Sequence, residues 1–386
     1  MHNTSQSHVK QGGQQGELEL PSNVQRGRVP QQLSLLESAA EGSSPKMATP
    51  KPRVAEPNKP RQTYKQNWSA YNQAQTNEVA EAQKVLYWLC GWIPEPTPGQ
   101  GRPPARVRDL IAAGVMKVFT RMSGRRVTPL INDITTKGHI HHAPHYNTLS
   151  KYLAHDELTS ILTELISESA RPLRKYARVF AFDSSGFGIC NSQRWGDVKW
   201  DHARIVHGKK VPNAIKRKDW VKLHAATDVV SNIITAAIVT DPFASDHKYF
   251  EPLFNKTRED FVIDEVVADK AYSSYRNLTL VASKAAIPYI PFTANRNPQK
   301  NSPATWKRMY NLWIQDPERF LAHYHSRSNV EATFSMIKRK FGEQVRSKKW
   351  PATANEVLLK VLCHNICCLI QAKYELGISL LPEVNL

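Results

Sequence analysis

The chain has 386 residues, 41% of them apolar, and its 52 Lys and Arg against 34 Asp and Glu leave a net charge of +18. At roughly 150 residues per domain the length suits two domains and an arm, and the apolar content excludes a wholly disordered or fibrous chain. The charge excess points to a polyanionic partner. No apolar run approaches about 18 residues, so no membrane span is expected, and MHNTSQSHVKQGGQQGELEL lacks the apolar stretch of a secretory signal. The cysteines, Cys90, Cys190, Cys363, Cys367 and Cys368, lack paired C-x-x-C spacing. They fit reduced intracellular thiols, with CHNICCLIQ read as a buried helix.

Residues 1-65 are rich in Gln, Ser, Gly, Pro and Lys and read as a disordered basic arm that buries too little to fold alone. The composition changes at Trp68. Residues 66-172 read as a helical DNA-binding domain: NEVAEAQKVLYWLCGWI is helix-like, EPTPGQGRPP is a Pro and Gly linker, and further helical stretches follow. Between them stand Arg106, Arg108, Lys117, Arg121, Arg125, Arg126 and Lys151, as in small helical DNA-binding modules. A helical packing domain with a solvated basic face gives the same pattern. His139, His141, His142 and His145 cluster without i, i+4 spacing or a Cys partner, so a metal is not expected there.

Residues 173-345 alternate strand and helix. KYARVFAFD reads as a strand ending on Asp183, followed by a turn, SSGFG. DWVKLHAATD and IITAAIVTD read as two strands joined by a tight connection, and SDHKYFEPLF as a helix capped by Asp246. DEVVAD is a short strand ending on Asp269, YSSYRNLTLVASKA a helix and AIPYIPF another strand. Residues 346-386 form a C-terminal helical extension. The order suits an α/β layer with a mixed sheet.

Asp183 and Asp269 each end an apolar strand, where open α/β sheets place ligands. Two such carboxylates on neighbouring strands would repel unless a divalent cation sat between them. The segment YHSRSNVEATFSMIKRKFG, read as one helix at about 100° per residue, puts Tyr324, Arg327, Glu331 and Lys338 within about 60° of one another. The polar stripe borders a buried one of Val330, Phe334, Ile337 and Phe341. Phosphoryl transfer needs such an arrangement, a carboxylate aimed into the crevice beside cations, although Arg327 and Glu331 also suit a plain i, i+4 ion pair.

Tyr324, Arg327, Glu331 and Lys338 match a Y-(2)-R-(3)-E-(6)-K signature and, with DSSGFG, VKLHAATD and VVADKAY, resemble the DDE transposases of bacterial insertion sequences over roughly residues 145-378. The resemblance implies an α/β, ribonuclease-H-like mixed sheet flanked by helices, with Asp183, Asp269 and Glu331 as catalytic and metal-binding triad for two Mg²⁺ or Mn²⁺ ions. It implies metal-dependent cleavage of element ends and joining of the 3′-hydroxyl to target DNA. The implied partners are double-stranded DNA, as terminal inverted repeats and target, and a second copy in a homodimer on DNA. The expected location is cytoplasmic and nucleoid-associated. The 62 residues from Asp269 to Glu331 are too few for the large β insertion that some members carry.

Among DNA contacts, Arg327 suits bidentate phosphate binding, Lys338 a point charge and Tyr324 a hydrogen bond to phosphate. Lys209, Lys210, Lys216, Arg217 and Lys218 suit a phosphate-tracking surface, and Trp195, Trp200 and Trp220 either core packing or stacking on an extruded base. His224 suits either a site near the metals or a structural hydrogen bond. A nuclease of the same fold and a catalytically silent DNA-binding regulator are the competing readings.

Overall fold

The computed structural model describes residues 67-94, 105-190, 205-206, 209-210, 220-293 and 296-379. Its centre is β1, Val179–Ile189, whose residues Phe180, Ala181, Phe182 and Phe187 are fully buried. A strand covered on both faces tolerates such a continuous apolar run. On one side β1 pairs antiparallel with β4, Trp220–Asp228, which pairs antiparallel with β5, Ile234–Thr240. On the other side it runs parallel to β6, Glu265–Ala268, and β6 parallel to β7, Ile287–Tyr289. The order β5-β4-β1-β6-β7 is the ribonuclease-H-like mixed sheet that the resemblance implies. A separate two-stranded ribbon pairs β2, Ile205–Val206, with β3, Lys209–Lys210.

Six helices precede the sheet among the described residues: α1, Trp68–Thr76; α2, Glu78–Gly91; α3, Val107–Phe119; α4, Gly124–Thr136; α5, Tyr146–Tyr152; and α6, Glu157–Ala170. Side-chain caps start several of them, Asn67 accepting from the Ala70 N–H and Ser123 from the Arg126 N–H. The histidine-rich turn that follows α4 is organised by Asp109 of α3, whose buried carboxylate accepts the N–H groups of His141 and His142 at 3.2 and 3.1 Å. His145 caps α5 through Nδ1.

After β5 come α7, Asp246–Asp260, then β6, α8, Tyr275–Ser283, and β7. Next are α9, Ala304–Gln315, α10, Pro317–Tyr324, α11, Ser328–Phe341, β8, Gln344–Val345, and α12, Trp350–Leu376. Phe250 and Phe254 of α7 pack on Phe182, while α11 covers the opposite face of β1 through Val330, Phe334, Ile337 and Phe341, all buried as the periodicity predicts. β8 adds a short parallel pairing at the far end of β1.

Two expectations are corrected here. The SSGFG turn is absent: residues 184-189 continue β1, because β4 pairs with it through Gly188. The segment from Tyr324 is not one helix: α10 ends at Tyr324 and the 3-10 turn His325–Arg327 separates it from α11. Helix α12 is long and apolar enough to cross a membrane by length and composition, but 89% of its apolar stretch is buried inside the protein. It is a core helix packed on α6, α1, α3 and β5, with Cys363 buried as expected and every described cysteine unpaired.

Asn365 of α12 joins this helix to the sheet. Its Oδ1 accepts the Ile234 N–H at 2.9 Å, and its Nδ2 donates to the Ile234 carbonyl at 2.7 Å and to Ser169 Oγ at 2.9 Å. A side-chain amide thus satisfies both main-chain groups of a residue on the last strand of the sheet, whose outer edge would otherwise leave them unpaired.

Candidate active site

Asp183 is the fifth residue of β1, mid-strand rather than terminal. What ends there is the parallel partner. Phe182 faces Ala268 in the last register pair between β1 and β6, so one further step sets Asp183 beside Asp269 on strands about 4.8 Å apart. Asp269 leaves the sheet in an extended conformation and caps the 3-10 turn Lys270–Tyr272, its Oδ1 accepting the Lys270 N–H at 2.6 Å.

Glu331 lies in the first turn of α11, and Arg327 in the turn before it ties the helix to the strand. Its Nη1 donates to Asp183 Oδ2 at 2.7 Å and its Nη2 to Glu331 Oε1 at 2.5 Å. Asp183 Oδ1 accepts the Ser184 N–H at 2.8 Å. Burial pushes the Asp183 carboxyl above the usual range; Ser184 and Arg327 oppose the rise, and the charges of Asp269 and Glu331 add to it. Burial also raises the Tyr324 hydroxyl, which feels Arg327, Asp269 and Asp183, and the Arg327 guanidinium lies 6.0 Å from the Tyr324 ring centroid. Lys338 stands 5.4 Å from the ring of Phe187, which shares the Asp183 face of β1 by the two-residue strand period.

The structure therefore gathers Asp183, Asp269, Glu331, Arg327 and Tyr324 in one neighbourhood, with Lys338 farther along the same face. Lys216, Arg217 and Lys218, with Trp195 and Trp200, lie outside the described residues, as do the side chains of Lys209 and Lys210. Trp220 packs across β1: a Cβ on Gly186 would meet its ring at 3.3 Å, and one on Gly188 at 3.7 Å.

His224 and Asp246 occupy the other face. His224 pairs in register with Ser184, is fully buried, and has Nε2 2.9 Å from Thr240 Oγ1. Its ring stacks on Tyr249 at 4.5 Å, and burial pulls its pKa down to about 4. Asp246 is not the cap of α7. Ser245 holds that position, and Asp246 Oδ1 instead lies 2.7 Å from Lys222 Nζ and 3.2 Å from His224 Nδ1, ion-pair distances without hydrogen-bond angles. No sequence signal links 222, 224 and 246, because the pairing depends on α7 crossing β4.

Three carboxylates are hard oxygen donors of the kind that Mg²⁺ and Mn²⁺ select, and Asp183, raised first by burial and then by its acidic neighbours, is a carboxyl whose charged form a cation would stabilise. The donor set fits a divalent ion. In the present side-chain arrangement no three His, Cys, Asp or Glu among the described residues converge on a single point, since Arg327 occupies the space between Asp183 and Glu331.

Residues 175-366 match the family model described as Transposase DDE domain. A stretch of 104 residues, 27% of this chain, is 31% identical to the probable transposase for insertion sequence element ISA1214 of Archaeoglobus fulgidus. The chain spans 31% of that relative's length. The solved piggyBac transposase synaptic complex with hairpin DNA superposes over 81% of this chain and 76% of its own, at 11% identity and a TM-score of 0.37. DDE transposases use divalent metal ions as a family. Residues 175-366 thus carry a transposase DDE domain, and the chain is similar over part of its length to an insertion-sequence transposase.

Proposed function

We propose that the protein is a DNA transposase in which Asp183, Asp269 and Glu331 form the catalytic triad. The observation that carries this reading is the register of β1 and β6, which sets Asp183 beside Asp269, with Arg327 linking Asp183 to Glu331 from the helix opposite. Chain segments 86 and 62 residues long thereby return three carboxylates and an arginine to the middle of β1, where β6 ends.

Two Mg²⁺ or Mn²⁺ ions held by these carboxylates would activate the attacking oxygen and neutralise charge on the leaving one. The protein's own groups supply the rest. Arg327 holds a non-bridging phosphate oxygen pair through its planar fork, Tyr324 donates a hydrogen bond beside it, and Lys338 neutralises the next stretch of backbone. In the first step the water oxygen bonds to phosphorus, the bond to the 3′-oxygen breaks and a 3′-hydroxyl is left at the element end. In the second that hydroxyl attacks a target phosphodiester and displaces the target's own 3′-oxygen. One phosphodiester replaces another, so no energy cofactor is consumed. The helices within 66-172 serve as the DNA-binding part of a homodimer that holds two ends.

The test incubates the protein with candidate terminal-repeat duplexes, Mg²⁺ and a target plasmid. Joined products that vanish in Asp183→Asn bear the reading out. Cleavage without joining makes the protein a nuclease of the same fold, and DNA binding with neither reaction makes it a regulator.

A further inference from the structure

Away from the carboxylates, a cavity of about 340 Å³ opens where the end of α3 meets the chain leaving α11. Lys117, Arg121, Arg346 and Lys360 line it, with Glu343 and Glu356 as its acidic members. The charges are not matched. Both oxygens of buried Glu356 are already taken by main-chain and hydroxyl donors: Oε1 accepts the Arg346 N–H at 3.0 Å, and Oε2 the Ser347 N–H and Oγ at 2.9 and 2.7 Å. Among the described residues, the side chains of Lys117, Arg121 and Arg346 carry no ion pair or hydrogen bond. Four cations therefore face one uncommitted carboxylate.

The base of the cavity is Lys360, 2% exposed. Its Nζ donates to the carbonyls of Gly342 and Gln344 at 2.6 and 2.8 Å, and an ammonium has three N–H groups, which leaves one for a ligand. Burial, opposed by Glu356 and aided by the charges of Arg121 and Arg346, lowers this lysine to about 8. Arg121 holds a left-handed backbone, φ 56°, a conformation costing roughly 1–2 kcal/mol for a residue with a side chain. Its guanidinium lies against Gly342, where a Cβ would stand 3.6 Å from Nη2. The left-handed backbone is that of a helix terminus; what points to an anion is the uncompensated cationic lining.

The position says which anion. Cys190, on the cavity wall, follows β1 seven residues after Asp183, about 23 Å at the usual rise per residue. Phe187 lies between, with the Lys338 and Lys360 ammonium groups 5.4 and 5.7 Å from its ring. A cationic track thus runs from the Asp183 face to the cavity over the length of about seven base pairs of duplex.

We infer that this cavity is a second phosphodiester-binding site, gripping the backbone of the same duplex whose reacting phosphate lies at Asp183. The inference rests on the transposase reading. It assigns Arg121 and Arg346 to the rim contacts, Lys117 to the flank and Lys360 to the base.

The experiment measures binding of a random-sequence duplex, long enough to span both places, as a function of NaCl for wild-type protein and for Arg121→Gln/Arg346→Gln. Each lost phosphate contact makes the slope of log K against log salt shallower by about 0.9, so the double variant is expected to bind more weakly with a slope reduced by about one to two. Lys117→Gln, a single change beside the rim, gives a smaller reduction and serves if the double variant fails to fold. An unchanged slope in a folded variant, with wild-type cleavage intact, overturns the inference alone. Absence of salt-dependent DNA binding by the wild type overturns it together with the transposase reading. In a parallel arm inorganic phosphate is titrated: thermal stabilisation lost in the double variant, with an unchanged DNA slope, makes this a free-anion site and also overturns it.

Discussion

Arg327 donates to Asp183 across 144 residues of chain, 2.7 Å from Nη1 to Oδ2. The contact joins the turn before α11 to the middle of β1, and the same guanidinium reaches Glu331. One planar cation therefore spaces two carboxylates that, with Asp269, leave Asp183 raised by burial and by like charge. A buried carboxyl raised in this way, beside two further carboxylates, is the kind of group that functional sites gather.

That balance gives a sign for Asp183→Asn. A carboxyl whose folded pKa lies above its unfolded value costs stability at neutral pH, where it is ionised, and the cost disappears as pH falls. Asparagine mimics the neutral form. The variant is expected to unfold at a higher temperature than wild type in buffer free of divalent cations, while losing DNA cleavage. Parallel melts and cleavage assays check both, and a lower midpoint would contradict the charge argument.

Glu331 is different because its side chain is 59% exposed. Glu331→Gln should change folding stability by less than about 0.5 kcal/mol, as exposed substitutions do. Its activity should fall at least about a hundredfold, the upper end of what loss of an outer-shell group at a metal site costs. Urea unfolding alongside a time course of end cleavage measures the two effects separately.

Asn365→Leu tests the link between α12 and the sheet. The substitution removes the partners of the Ile234 N–H and C=O, and each buried group left unsatisfied costs about 1–3 kcal/mol. Denaturant unfolding is expected to show a loss of roughly 2–4 kcal/mol on that basis. A loss below half a kcal/mol would mean that the amide is dispensable.

His364 supplies a pH signature. It is buried, its Nε2 lies 2.9 Å from the Asn232 carbonyl, and burial lowers it to about 4. The unfolded chain then binds the extra proton between about pH 6.5 and 4, so stability falls as pH drops through that window. At pH 5 the loss from this residue is about 2 kcal/mol relative to pH 8. His364→Gln keeps an N–H donor without titrating, and its stability should decline less steeply from pH 8 to 5 in matched denaturant series.

Much of the site was legible in the chain. Apolar runs ending on Asp183 and Asp269 marked the strands, and the spacing of Val330, Phe334, Ile337 and Phe341 fixed the buried face of α11. Three features misled. The residues after Asp183 look like a turn because Ser and Gly are common in turns, yet here Gly186 and Gly188 make room in a strand for the Trp220 ring. The Tyr324 segment looked like a continuous helix because a 3-10 turn keeps nearly the same periodicity. Asp246 could be read as a cap from sequence, since only the crossing of α7 over β4 reveals Lys222 and His224 as its partners.

The amino-acid order by itself determined the strand and helix types, the acidic residues at issue and the basic excess, because periodicity and composition act locally. The tertiary structure decided which of those groups meet: the β1–β6 register beside Asp183, the Arg327 bridge, and the cavity around Lys360. Those contacts join residues tens to hundreds of positions apart, and their geometry follows from how the sheet and α12 pack, which no local pattern encodes.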